Sequence, residues 1–150
     1  VKVVYDNGWS DDLSIDDFKA FLPEIDVYTP NDKEAMKLAG TGDLEEAVRF
    51  LARYTPHPMV TLGRGGCAVW QDGEIRYVPA IDESQAVDTT GAGDNFLAGV
   101  IYGLLRNETL EGCAQLGNIF AGQSTTGVGC FGAEITPELI RKYYKEALCG

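Results

Sequence analysis

The chain has 150 residues, 45% of them hydrophobic, which is enough to bury the core of one globular domain and gives no reason to propose two. Its 12 basic and 23 acidic residues give a formal net charge of -11, so its long-range field repels nucleic acids and acidic membrane surfaces, and neither is expected as a partner. Four scattered cysteines and a single histidine predict neither a zinc site nor a disulfide framework, and no apolar run approaches the length that spans a bilayer. We therefore expect one cytoplasmic domain.

The first 62 residues alternate between predicted strands and helices. Apolar runs predict buried strands at residues 1–5, 25–29 and 58–62. Capping residues predict helices that begin near Ser14, at Asn31 and at Asp43, and Gly40 can end the second of them. A glycine-rich loop at residues 63–66 then leads into two further strands, 67–70 and 74–78, which Asp72 and Gly73 join into a hairpin.

Helices dominate the rest of the chain. One is predicted from Gly91, with one apolar face formed by Phe96, Val100, Leu104 and Leu105. A second covers about 109–125, and a third opens at Thr136-Pro137 and runs through Leu148. Strands that alternate with helices predict an α/β fold with a largely parallel sheet, and no linker or repeat marks a domain boundary.

The most informative stretch is Asp-Thr-Thr-Gly-Ala-Gly-Asp at residues 88–94, where two glycines occupy the first turn of a helix at a cost of about 0.5–1 kcal/mol each. The amides of Gly91, Ala92 and Gly93 can close around a phosphoryl group at the helix N-terminus. A carboxylate beside that phosphate makes chemical sense if Asp94 accepts the proton of an attacking hydroxyl. The alternative is a tight turn followed by an acidic residue that the helix dipole favours. The whole heptapeptide favours the functional interpretation.

Residues 88–96, which add Asn-Phe to that stretch, resemble the second signature of the ribokinase-like (PfkB) carbohydrate kinases. The resemblance implies a three-layer α/β/α fold, ATP and Mg²⁺ as cofactors, and a sugar as substrate. It also implies that Asp94 is the catalytic base and that the amides of Gly91, Ala92 and Gly93 form the anion hole.

The resemblance extends over essentially all of residues 1–150 as the carboxyl-terminal, nucleotide-binding part of a single kinase domain. We expect the amino-terminal part, with the family's lid and most sugar contacts, to be absent. The sequence therefore does not identify the sugar. A homodimer is a candidate assembly.

Further contacts follow from the resemblance, and each has a structural alternative. Thr61, Gly63 and Gly66 match the family's nucleotide loop, although an ordinary glycine-rich strand connection has the same composition. Asn31 and Glu34 match the family's N-x-x-E motif, which acts with Mg²⁺ and the phosphates through water, and the same pair is typical of a helix capping box.

Three weaker assignments lie near the signature. Asn118 matches a position that offers a side chain to adenine, or it is a solvated helix residue. Residues 127–132 match a loop that closes over the nucleotide. Asp88 and Thr90 match a monovalent-cation site, for K⁺ in some relatives, or Asp88 is a turn former.

These observations favour an ATP-dependent phosphotransferase that acts on a hydroxyl of a sugar or sugar phosphate, with a nucleoside as the alternative acceptor. A nucleotide-binding or regulatory module without catalysis is the alternative of a different class. The chain has no Walker G-x-x-x-x-G-K pattern, and residues 63–66 lack the G-x-G-x-x-G spacing of a dinucleotide fold. Residues 1–150 on their own are expected to be inactive, because the segments that hold the sugar are missing.

Overall fold

The computed structural model describes residues 1–81 and 86–144, which belong to two compact units. The first unit comprises Val1–Gly63 and Cys67–Tyr77, and the second comprises Arg64–Gly66 and Val78–Gly150. No helix in the described ranges is both long enough and apolar enough to cross a bilayer.

The first unit is built on a mixed sheet whose strands lie in sequence order. The strands are β1 (Val4–Tyr5), β2 (Val27–Tyr28), β3 (His57–Thr61), β4 (Cys67–Gln71) and β5 (Glu74–Val78). β1, β2 and β3 are parallel, and β4 is antiparallel to β3. The predicted hairpin between β4 and β5 is confirmed, since Asp72 and Gly73 both have the positive φ (53° and 84°) that a tight two-residue hairpin turn requires.

Two α-helices of the first unit begin where the capping residues predicted, and α1 also ends where predicted. α1 (Asp32–Ala39) is capped by Asn31 and ends at Gly40, and α2 (Leu44–Leu51) begins after Asp43, whose carboxylate accepts from the Glu46 amide. The apolar faces of both helices join strand residues in one core. Its fully buried members include Leu22, Tyr28, Val48, Leu51 and Val60.

Two expectations at the beginning of the chain are wrong. The first strand is limited to Val4–Tyr5, and Val1 and Val3 are exposed, because the Val3 amide donates to the Asp26 carboxylate at 2.8 Å rather than to a strand. The helix expected from Ser14 is a single 3₁₀ turn, Ile15–Asp17, followed by a second at Leu22–Glu24. Pro23 disfavours an uninterrupted α-helix across Leu22–Glu24, since proline lacks an N–H group and disfavours the α conformation in the residue before it.

The second unit contains α3 (Ala92–Leu105), α4 (Leu110–Ser124) and α5 (Pro137–Tyr143). Phe96 and Val100 are buried as predicted, but Leu105 is exposed. The buried stripe of α3 continues instead through glycines, because α4 lies too close for larger side chains: a Cβ at Gly99 would stand 2.5 Å from the Leu116 carbonyl. The predicted continuation of the last helix to Leu148 lies outside the described residues.

Candidate active site

In the first unit, three of the predicted site residues lie at or just after the carboxyl ends of neighbouring parallel strands. Asn31 follows β2 and forms a bridge with Thr61, the last residue of β3, and the Thr61 amide donates to the Pro30 carbonyl at 3.0 Å. Gly63 comes next, with φ of 56°, and opens a 3₁₀ turn. Carboxyl ends of parallel strands are where α/β proteins place their ligands.

Asn31 and Glu34 form a closed capping box at the start of α1. The Asn31 side chain accepts from the Glu34 amide, and the Glu34 carboxylate accepts from the Asn31 amide, both at 2.9 Å. Glu34 is only 3% exposed, and its burial raises the pKa of its carboxyl group while the hydrogen bonds with Asn31 oppose that rise. The structural alternative for this motif is therefore realised, and it engages the carboxylate that was assigned to Mg²⁺.

No described group of three or more His, Cys, Asp or Glu side chains is arranged to hold a metal ion. Glu34 would therefore be one protein carboxylate beside a metal whose other ligands are phosphate oxygens and water. Mg²⁺ is commonly held that way in phosphoryl-transfer sites, so the residues present fit an ion that arrives with its nucleotide.

In the second unit, the fold requires glycine at one of the two signature positions, 91 and 93, but not at the other. Gly91 caps α3 with φ of 75°, and a Cβ there would lie 2.3 Å from the Cys130 sulfur, so the fold itself requires glycine. A Cβ at Gly93 would meet nothing within 4 Å, and Gly93 lies inside the helix. Packing within the chain therefore does not explain Gly93, although glycine costs about 0.5–1 kcal/mol there relative to alanine.

The first turn of α3 also has donors without acceptors. The Ala92 amide donates to the Thr89 carbonyl at 3.2 Å, whereas no described residue accepts from the amides of Gly91, Gly93 or Asp94. Two of the three amides predicted to form the anion hole, those of Gly91 and Gly93, thus have no described acceptor. The Asp94 amide is a further donor without a described acceptor. Helix geometry alone, which leaves the first four amides unpaired, could have identified it. The Asp94 side chain is exposed, and no cation within the described ranges pairs with it.

Asp88 is held by backbone amides. Its two carboxylate oxygens accept from the amides of Thr90 and Gly129, each at 2.9 Å, and these hydrogen bonds, that of Gly129 foremost, lower the pKa of the Asp88 carboxyl group. These contacts are those of a turn former that also holds the loop at residues 127–132. The cation role of Asp88 and Thr90 stays a prediction.

Asn95 is a site residue that the sequence did not identify. Its side-chain amide donates to the carbonyls of Gly91 and Cys130, at 2.9 and 3.1 Å. Asn95 lies within the signature at residues 88–96, but no role was assigned to it from the sequence; a further signal is that asparagine is a poorer helix former than alanine.

Asn118 and Gly66 meet the same backbone segment of the second unit. The Asn118 side chain is buried and donates to the carbonyls of Val78 and Pro79, at 2.9 and 3.1 Å, so the interpretation as a solvated residue is wrong. A Cβ at Gly66 would lie 2.1 Å from the Val78 carbonyl oxygen. The assigned contacts of both residues with ATP stay predictions.

The comparisons with known proteins agree with the signature. The profile of the pfkB family carbohydrate kinases matches residues 1–136. The chain is 33% identical over 135 residues to a ribokinase of Lactococcus lactis, which covers 88% of this chain and 41% of that protein. It is 34% identical over 102 residues to a cytidine kinase of Thermococcus kodakarensis, covering 66% of this chain and 36% of the relative. The chain thus spans about two fifths of the length of these curated relatives.

A solved structure supports the same family. The ribokinase of Arabidopsis thaliana, complexed with ribose and ATP, superimposes with a TM-score of 0.83 at 28% identity. The match covers 97% of this chain and 48% of that one. The predicted ribokinase-like α/β fold is therefore confirmed, and the chain belongs to the pfkB family of carbohydrate kinases.

Proposed function

We propose that this chain is the carboxyl-terminal, nucleotide-binding and catalytic part of an ATP-dependent kinase that phosphorylates a hydroxyl of a sugar or sugar phosphate. The observation that carries the proposal is the N-terminus of α3. It combines amides for which the described residues provide no acceptor, a glycine at position 93 that packing among those residues does not require, and an exposed carboxylate at Asp94. Family membership supplies the chemical context for that arrangement.

The amides of Gly91, Ala92 and Gly93 form the proposed anion hole. Amides at a helix N-terminus carry a partial positive charge, and in a site closed to water they stabilise the charge that develops on a transferred phosphoryl group. The missing side chain at Gly93 leaves the space through which a phosphate reaches the backbone. The Ala92 amide takes part by exchanging its 3.2 Å hydrogen bond with Thr89 for one with phosphate.

Asp94 is the proposed general base. Bound ATP supplies the phosphoryl group, and the acceptor hydroxyl must lose one proton as it attacks. Asp94 lies in the same helical turn as the anion hole, and because no cation of the described residues pairs with it, its carboxylate is suited to take that proton.

The remaining predicted residues have supporting roles in this proposal. Thr61, Gly63 and Gly66 line the nucleotide. Asn118 orders the backbone of Val78 and Pro79, with a contact to the adenine as the alternative. Asn31 and Glu34 act on Mg²⁺ through water, and the backbone around Asp88 and Thr90 holds a monovalent cation such as K⁺.

A screen of phosphoryl acceptors tests the proposed function. The complete protein is incubated with ATP and Mg²⁺ and with sugars, sugar phosphates or nucleosides, and acceptor-dependent ADP is measured against an Asp94→Asn control. Transfer to a sugar or sugar phosphate supports the proposal. The 34% identity to a cytidine kinase makes nucleosides the second acceptor class. ATP binding without transfer to any acceptor would favour the non-catalytic module.

Residues 1–150 alone are a useful second sample. Phosphoryl transfer depends on holding the acceptor in line and excluding water, and these residues match about two fifths of the relatives' length. We expect the isolated chain to show no acceptor-dependent ADP formation, and measurable turnover by it would contradict the assignment of the acceptor site to other segments.

A further inference from the structure

We infer that Asn95 is a positioning residue: it ties the glycine-rich loop at residues 127–132 to the N-terminus of α3 and so fixes the direction of the Ala92 amide, one of the three proposed phosphate-binding amides. The inference rests on the proposed function for its effect on turnover. Its structural part stands on contacts within the second unit.

The side-chain amide of Asn95 joins two carbonyls that are distant in the sequence. One belongs to Gly91, the N-cap of α3, and the other to Cys130, 35 residues further along. The Asn95 backbone amide donates to the same Gly91 carbonyl at 2.9 Å, so that carbonyl is held twice by one residue.

Holding the Gly91 carbonyl fixes the next amide, because the peptide unit is planar and trans. The N–H of Ala92 belongs to the same rigid plane and points opposite to the Gly91 carbonyl. A Gly91 residue with φ of 75° lacks a side chain that could restrain that plane. Asn95 supplies the restraint from one turn further along the helix.

The loop is bound at a second point and packs tightly on itself. The Gly129 amide donates to Asp88 at 2.9 Å, and the Gly132 amide donates to the Gly129 carbonyl at 3.1 Å. Cys130 lies against Gly91, with no room for a Cβ between them. Asp88 and Asn95 therefore hold this loop to the signature turn at two points.

The test compares Asn95→Leu with Gln123→Leu in the complete enzyme. Leucine keeps the number and branching of the side-chain heavy atoms of asparagine but removes both N–H donors. Gln123 is the matched control, because its side-chain amide also ties a helix to a following loop carbonyl, that of Glu134 at 3.1 Å, without touching the signature. The measurements are kcat, KM for ATP and hydrogen exchange of residues 127–132, all well below the melting temperature.

For Asn95→Leu we expect kcat to fall about 10- to 100-fold with KM for ATP within about threefold, because the mispositioned amides act mainly on the transition state. Exchange in the loop should accelerate at least about tenfold, since the hydrogen bond from Asn95 to the Cys130 carbonyl, which holds the loop, is lost. Gln123→Leu should change neither. If Asn95→Leu does not fold, Asn95→Ser, which is too short to reach both carbonyls, replaces it.

Unchanged kcat or unchanged loop exchange in a folded Asn95 variant would overturn the inference and leave the proposed function intact. A parallel loss in the Gln123 control would overturn it as well, since general loosening would then explain the effect. A wild-type enzyme that transfers no phosphate would instead overturn the proposed function, and with it the effect of Asn95 on turnover.

Discussion

The N-termini of α1 and α3 differ in how their free amides are satisfied. At α1 the side chains of Asn31 and Glu34 exchange two hydrogen bonds, and the chain closes its own helix end. At α3 the cap is Gly91, which has no side chain to accept a hydrogen bond, and three amides of the first turn lack a described acceptor. A helix end that forgoes a cap worth about 1 kcal/mol leaves its donors for another partner. The comparison shows a closed structural cap at α1 and supports the proposal that phosphate binds at α3.

The largest effect is expected from removing the Asp94 carboxylate at the N-terminus of α3. Asp94→Asn should lower kcat by about 10²- to 10⁴-fold while the affinity for ATP stays within a few-fold, because a general base acts in the transition state. Steady-state kinetics and nucleotide titration measure both quantities. Asp32→Asn, in the first turn of α1, is the control and should retain normal turnover. Near-normal kcat for Asp94→Asn would contradict the role of Asp94 as general base. The N-termini of α3 and α1 would then not differ in their effect on catalysis.

A side chain at Gly93 tests the proposed anion hole separately from the fold, because it would occupy the space beside the first-turn amides of α3 without a clash within the described residues. Gly93→Val should lower turnover about 100-fold, because a β-branched side chain intrudes where phosphate must approach the amides. The melting temperature should not fall, since the position is open and valine is a better helix former than glycine. Ala98→Val, on an exposed position of the same helix, is the control. Unchanged ATP turnover in Gly93→Val would contradict the anion hole.

A substitution at Asn118 tests whether a side-chain donor that is already hydrogen-bonded within the chain contributes to stability rather than to ATP binding. Asn118→Leu leaves the Val78 and Pro79 carbonyls without their donor and should lower the free energy of unfolding by about 1–3 kcal/mol. KM for ATP should change less than about threefold, since this donor is already used. Denaturant unfolding and kinetics measure the two effects, with Gln115→Leu as a control on α4. A rise in KM above about tenfold with unchanged stability would instead favour the adenine contact.

The smallest effect on activity is expected at the N-terminus of α1, which the capping box of Asn31 and Glu34 closes. Glu34→Gln should raise the Mg²⁺ requirement a few-fold with little change in melting temperature, because glutamine can still accept from the Asn31 amide. Glu46→Gln, at the equivalent position of α2, is the control for activity and stability. A fall in stability with unaltered Mg²⁺ dependence would assign Glu34 to the cap alone.

Glu34→Gln should also change how the free energy of unfolding depends on pH. Burial raises the folded-state pKa of Glu34 above its ordinary value of 4.5, so its contribution to stability is present below that pH and is lost as pH rises through the raised pKa. Unfolding free energy should therefore depend less on pH above 4.5 in Glu34→Gln than in the wild type. Equal slopes in both proteins would contradict the burial argument.

The sequence by itself determined the features that depend on a few neighbouring residues. The caps of α1 and α2, the hairpin turn at residues 72–73 and the signature at 88–96 all follow from patterns within about four residues, because capping bonds and turn dihedrals are local. The same signature was sufficient to identify the family.

Only the tertiary structure decided the contacts that join distant segments. Asn118 meets Val78 across 40 residues, Asp88 meets Gly129 across 41, and Asn95 meets Cys130 across 35. It also separated the two signature glycines, one required by the approach of Cys130 and one not required by any packing. Sequence patterns record which residues are polar or small, but hydrogen bonds and steric approach depend on atoms that only folding brings within about 3 Å of each other.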